Sequence, residues 1–245
     1  KVSIEFDHVT FVYPDGEEPV LQDVSFKANK GEMIAFIGST GSGKSTLVNL
    51  VPRFYDVSSG SIKINGKDIR DYDVLELRDK LGVIPQKAVL FSGTIADNIR
   101  FGKKDASDEE VEYAAKVAQA CPFIMEKENG FDEEISEGAT NVSGGQKQRL
   151  SIARALVRKA QIYIFDDSFS ALDFKTDAIL RKELKKEIML VVAQRISSIM
   201  EADQIIVLNE GKVVGKGTHH QLLKECQIYH EIATSQLSEE ELANA

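Results

Sequence analysis

The chain has 245 residues, 42% hydrophobic and 28% charged, with 17 Gly and 5 Pro, which allows a sizeable core and excludes the disordered and fibrous classes. Its formal net charge is -9, a poor electrostatic match for phosphate backbones, so no nucleic-acid partner is expected. No stretch approaches the roughly 18 unbroken apolar residues of a spanning helix, and Cys121 and Cys226 fit no disulfide or metal spacing, which leaves two free thiols in a reducing compartment.

Along the chain, Val2, Ile4 and Phe6, then Val9, Phe11 and Tyr13, alternate with polar residues until Pro14-Asp15-Gly16 breaks the run. A second set, Leu21, Val24 and Phe26, ends near Asn29-Lys30-Gly31. Period-two patterning between turn residues predicts antiparallel strands. Residues 33–37 are instead continuously apolar, the pattern of a strand buried on both faces. A glycine-rich stretch follows, then a helix from 45 to about 54. Residues 61–67 read as a hairpin strand with an Asn65-Gly66 turn. From about 73 to 158 the pattern is mostly helical, with Ser107-Asp108-Glu109-Glu110 as a capping signal before Val111, Ala114, Ala115 and Ala118. Apolar strands are expected at 162–165 and 190–193, and a hairpin at 205–208 and 212–215 across Asn209-Glu210-Gly211. The acidic tail after Ser238 reads as a solvated or frayed helix end. Buried strands alternating with helices argue an α/β fold with a mainly parallel sheet.

Gly38-Ser39-Thr40-Gly41-Ser42-Gly43-Lys44-Ser45, followed by Thr46, satisfies the P-loop pattern between a buried strand and a helix. Its glycines let successive N–H groups converge on phosphate oxygens, and the helix start adds partial positive charge. Lys44 is expected to bridge the β- and γ-phosphates of a nucleotide, and Ser45 to offer its hydroxyl to Mg²⁺. Residues 162–165 form an apolar strand ending in Asp166, which suits a second Mg²⁺ contact, although an aspartate there can equally be a cap. These two elements are shared by kinases, GTPases, recombinases and transport ATPases.

Val142-Ser143-Gly144-Gly145-Gln146, followed by Lys147-Gln148-Arg149, closely resembles the signature motif of ABC ATPases. Tyr13, Gln86 and Ser170-Ala171-Leu172-Asp173 fall in the order of that family's other motifs, and the resemblance covers nearly the whole chain. It implies a single ABC ATPase domain over 1–245: a P-loop NTPase (RecA-like) α/β core with a parallel sheet and an antiparallel β subdomain (about 1–85 and 160–245), and an α-helical subdomain (about 86–159). It also implies that Tyr13 stacks on adenine, that Gln86 reaches Mg²⁺ and links the site to a transmembrane domain, and that Asp173 crosses a dimer interface. Ser143, Gly144, Gly145 and Gln146 would bind ATP in trans, against the P-loop of a second nucleotide-binding domain. Glu137 resembles the coupling loop of exporters, and so does Phe91-Ser92-Gly93-Thr94-Ile95-Ala96-Asp97-Asn98-Ile99. A membrane domain fused ahead of Lys1 is expected, which would place the chain at the cytoplasmic face of the cell membrane.

Two residues depart from the family pattern. Asp167 stands where the family has Glu, the base that orients or deprotonates the attacking water, and the shorter side chain withdraws its carboxylate by ~1.5 Å. Displacement by about 1 Å can cost on the order of a hundredfold in rate. Gln194 stands where the family usually has His; it can donate a hydrogen bond to the γ-phosphate but cannot be protonated. Together they resemble the degenerate subunit of a heterodimeric exporter, whose own site hydrolyses slowly while its signature completes a partner's site. A homodimeric exporter with a slow site, a non-catalytic nucleotide sensor, and a soluble ABC ATPase acting on ribosomes or DNA are the alternatives. Between Asp173 and Gln194 the chain is also about four residues shorter than the family spacing, around Glu187-Ile188, through a deletion or an omitted loop.

Overall fold

The alternating N-terminal pattern folds as two antiparallel strands, β1 (Ser3–Phe11) and β2 (Leu21–Asn29), with Phe6 opposite Phe26 and Ile4 opposite Ala28. The structure, a computed structural model, describes residues 1–39 and 41–244. The continuous apolar run is β3 (Met33–Gly38), and the glycine-rich loop leads into α1 (Lys44–Asn49). This helix ends earlier than its sequence pattern suggests. Pro52 disfavours helical backbone at the residue before it, and Arg53 turns left-handed at φ 61. β4 (Ser59–Ile64) and β5 (Lys67–Asp68) form the expected hairpin, with Asn65 and Gly66 both at positive φ, as a type I′ turn requires. β4 also pairs with β1, giving an antiparallel sheet of order β2-β1-β4-β5.

The middle of the chain is less uniformly helical than its pattern. After α2 (Val74–Asp79) comes a buried strand, β6 (Leu81–Ile84), and then β7 (Gly93–Thr94), α3 (Ile95–Arg100), α4 (Asp108–Val117), α5 (Cys121–Glu126), β8 (Glu134–Ile135) and α6 (Gly144–Val157). The Ser107 signal is a capping box: Ser107 Oγ accepts from Glu110 N, and Glu110 accepts from Ser107 N. The remaining elements are β9 (Ile162–Asp166), α7 (Phe174–Leu184), β10 (Ile188–Val192), β11 (Gln204–Asn209), β12 (Lys212–Gly217), α8 (His219–Glu225), α9 (Gln227–Gln236) and α10 (Glu239–Ala243). α7 and β10 are joined directly by residues 185–187, where Glu187 N donates to Leu184 O and Glu187 O accepts from Gly31 N.

The central sheet has the order β12-β11-β3-β10-β9-β6, parallel except for β12. Its side chains divide by strand alternation between two apolar layers. Ile34 and Phe36, with Ile162, Ile164, Leu190 and Leu208, face the layer shared with the antiparallel sheet and α1. Ala35 and Ile37, with Tyr163, Phe165, Val191 and Val207, face the layer packed by the helices. Burial on both sides is why these strands read as continuous apolar runs. It also leaves their carboxyl ends as the place where loops can form a site.

Candidate functional site at the P-loop

The loop closing β3 is shaped by its own packing. A Cβ on Gly38 would run into the Leu208 carbonyl oxygen and come within 2.7 Å of Ser42 Oγ. Gly43 sits at φ 98, and a Cβ there would come within 2.9 Å of Leu21 Cδ2 and Val20 O. Ser42 N donates to Ser39 O at 3.1 Å, and Ser42 O accepts from Gly211 N at 3.0 Å. Ser42 Oγ is buried with no partner among the described residues. Lys44 is 9% exposed and curls over the loop, donating to Gly38 O at 3.1 Å and Ser39 O at 3.4 Å. Thr40 lies outside the described residues. Tyr13 is held beside α1: its hydroxyl is 2.9 Å from Thr46 Oγ1, and its ring meets Phe11 and Tyr55 edge-on.

Both carboxylates at the end of β9 are engaged, one by the start of α1 and one by Gln86. Ser45 Oγ donates to Asp166 Oδ1 at 2.9 Å, and Gln86 Nε2 donates to Asp167 Oδ2 at 3.1 Å. Asp167 has left-handed backbone at φ 54, and its N–H donates to Val192 O. Burial pushes the Asp167 carboxyl above the ordinary aspartate range; Lys44 opposes this shift and Asp166 adds to it. Burial likewise pulls the Lys44 ammonium down, against the attraction of the two aspartates. The set therefore offers hydroxyl and carboxylate oxygens to a hard cation and an ammonium to phosphate oxygens. Ser39, Lys44 and Gln194 line one cavity of about 380 Å³ with Gly38 and residues of α9.

Other sequence-selected residues stand elsewhere. Ser143, Gly144, Gly145 and Gln146 open α6 and do not line the cavity at Lys44. Ser143 forms a capping box with Gln146, and a Cβ on Gly144 or Gly145 would meet nothing within 4 Å. Asp173 precedes α7, 3.8 Å from Arg149 of α6. Glu137 is exposed on the short 3-10 turn before the signature. Asn98, 3% exposed, ties the Phe91 loop to α3 through Phe91 N, Phe91 O and Thr94 O. Beside it lies an apolar groove with Phe54 and Phe101 more than half exposed and Arg78 and Arg154 over their rings. Sequence reasoning missed the Gln86–Asp167 hydrogen bond and the packing of Tyr55 on Tyr13.

A phosphate cradle between a buried parallel strand and a helix, with a carboxylate ending a nearby strand, defines a P-loop NTPase. The chain belongs to the ABC transporter family, whose family model matches residues 21–170, and it is similar to the ATP-binding parts of transporters named as exporters. It is 47% identical over 239 residues to an ABC transporter ATP-binding protein of Bacillus subtilis, covering 97% of this chain and 42% of that protein. A Staphylococcus aureus protein, named for multidrug export as an ATP-binding/permease protein, is 45% identical over 95% of this chain and 41% of its own length. Among solved structures, a bacterial Atm1-family ABC exporter with ATP bound superposes with a TM-score of 0.91 at 38% identity, over 98% of this chain and 42% of that one. The chain thus spans about two fifths of the length of these relatives. Among the described residues, no helix is long and apolar enough to cross a membrane.

Proposed function

We propose that this chain is one half of an ATP sandwich: its P-loop binds ATP, and its signature completes the site of a second nucleotide-binding domain. The observation that carries this reading is the separation of the two phosphate-binding motifs. Lys44, Ser45, Asp166 and Asp167 converge at one site, while residues 143–146 open α6 outside the cavity at Lys44. In this reading Tyr13 stacks on adenine. Gly38, Ser39, Thr40, Gly41, Ser42, Gly43 and Thr46 surround the phosphates, and Lys44 bridges the β- and γ-phosphates. The oxygen donors of Ser45, Asp166 and Gln86 fit Mg²⁺, which when bound offsets phosphate charge. Asp167 orients or deprotonates the attacking water, and Gln194 donates to the γ-phosphate. Asp173 reaches across to the partner.

A transmembrane domain is the second proposed partner, in the arrangement suggested by the name of the ATP-binding/permease relative. Gln86 and Glu137 are the coupling residues. The exposed Phe54 and Phe101 groove, on the face reached by the loop that carries Gln86, supports such docking. Closure around ATP and reopening after hydrolysis then drive export through differential affinity for closed and open states. That work is done at the cytoplasmic face of a membrane.

We further propose that this chain's own site is the degenerate one of a heterodimer, because Asp167 and Gln194 occupy the catalytic positions. Gln86 also engages the Asp167 carboxylate that should face water. Single-turnover hydrolysis by the wild type and by the Asp167→Glu, Gln194→His double variant tests this. Slow wild-type turnover, restored by the double change, is the expected result. Wild-type turnover within the ordinary enzyme range of about 1–10³ per second would make Asp167 a sufficient base and favour a homodimeric exporter.

A further inference from the structure

The loop that carries Gln194 is fixed at its β10 end by Ala193 N, which donates to Phe36 O at 3.1 Å. At its other end a single side chain from the last turn of α9 grips the backbone. Ile196 N donates to Gln236 Oε1 at 2.8 Å, and Gln236 Nε2 donates to Gln194 O at 2.8 Å. One primary amide thus satisfies a carbonyl and an N–H on either side of Arg195, using one acceptor and one donor of the same plane.

α9 is a firm place from which to make this grip. Tyr229, Ala233 and Leu237 recur at four-residue spacing and are 0%, 0% and 8% exposed. They pack in the same apolar layer as Ile196 and Ile199. Tyr229 is further tied to His219, its hydroxyl 2.6 Å from Nδ1. The flank and outer side of the helix, with Ile228, Glu231, Ile232, Ser235 and Gln236, wall the cavity that the P-loop and Gln194 also line.

We infer that Gln236 is a positioning residue that sets the reach of Gln194 toward the terminal phosphate of nucleotide held by the P-loop. This rests on the reading of Gln194 as a γ-phosphate donor. A loop held before ligand arrives need not be ordered at the moment of binding, so its contact costs less to make. The benefit falls on the γ-phosphate alone. ATP therefore gains from Gln236 and ADP does not.

ATP and ADP affinities of the full chain test the inference, with wild type, Gln194→Ala, Gln236→Met and the double variant compared. Methionine keeps the length of the side chain and removes both hydrogen bonds. Gln236→Met is expected to weaken ATP binding about three- to tenfold, the scale of one or two hydrogen bonds, to leave ADP binding unchanged, and to add nothing to Gln194→Ala. Amide exchange should quicken at Ile196 without quickening across the chain. If Gln194→Ala discriminates against ATP but Gln236→Met spares it, the positioning role is wrong while the reading of Gln194 stands. The positioning role also fails if Gln236→Met weakens both nucleotides alike or loosens the whole chain. If Gln194→Ala leaves ATP and ADP binding as they were, the reading of Gln194 fails and this inference falls with it.

Discussion

The P-loop and the signature are both glycine-containing segments at a helix start, yet their glycines answer to different constraints. At the P-loop the surroundings explain them. Gly38 has no room for a side chain against Leu208 O and Ser42, and Gly43 combines a positive φ with close contacts to Leu21 and Val20. At the signature, Gly144 and Gly145 are exposed, absent from the positive-φ residues, and open to space where a Cβ would point. Glycine is a poor helix former, costing about 1 kcal/mol relative to Ala inside a helix. The fold of this chain alone therefore gives no reason for two glycines there, and the proposed approach of a partner's nucleotide does.

The sharpest break of this comparison is Gly38→Ala against a signature substitution of the same size. Gly38→Ala is expected to destabilise the chain by about 3 kcal/mol, the upper end of the overpacking cost, because the Leu208 carbonyl belongs to a neighbouring sheet strand and cannot step aside. Urea or thermal unfolding without nucleotide reads this directly. A loss below about 1 kcal/mol would mean that the cradle relaxes easily, and the asymmetry between the two segments would disappear.

Much of the P-loop region, and the start of α4, was legible because the signals there are local. The apolar run of β3, the glycine spacing and the Ser107 capping box each act within a few residues. β6 escaped because Leu81-Gly82-Val83-Ile84 is short, contains Gly and follows a helix; its strand state comes from pairing with β9 about eighty residues away. The Gln86–Asp167 bond spans 81 positions and the Gln236 grip on Ile196 spans 40. Neither has a periodicity or a turn signal to announce it. Tyr13 shows the intermediate case: its aromatic type was readable, while its placement beside Thr46 and Tyr55 depends on the end of β1, the helix α1 and a loop coming together.

A smaller effect is expected at Ser143. Its hydroxyl accepts from Gln146 N at 3.2 Å and closes a capping box on α6, so Ser143→Ala should cost about 1 kcal/mol of stability. Unlike the neighbouring glycines, Ser143 has a duty within its own chain. Unfolding of the nucleotide-free chain separates that duty from any role in trans. No loss of stability would place the cap's importance entirely outside the chain.

The smallest stability effect, and the one that most isolates the partner's side of the comparison, is Gly145→Ala. The position lies in the first turn of α6 with open space around it, so alanine should raise stability by up to about 1 kcal/mol. If the glycine is kept for a nucleotide on another cassette, the same change should reduce ATP-driven association while leaving ATP binding at this chain's own P-loop intact. Sedimentation of the chain with its partner cassette, in ATP and in ADP, separates the two effects. A variant that is more stable and still associates fully with ATP would show that the open space at α6 is not reserved for a ligand, and the signature would then need another explanation for its glycines.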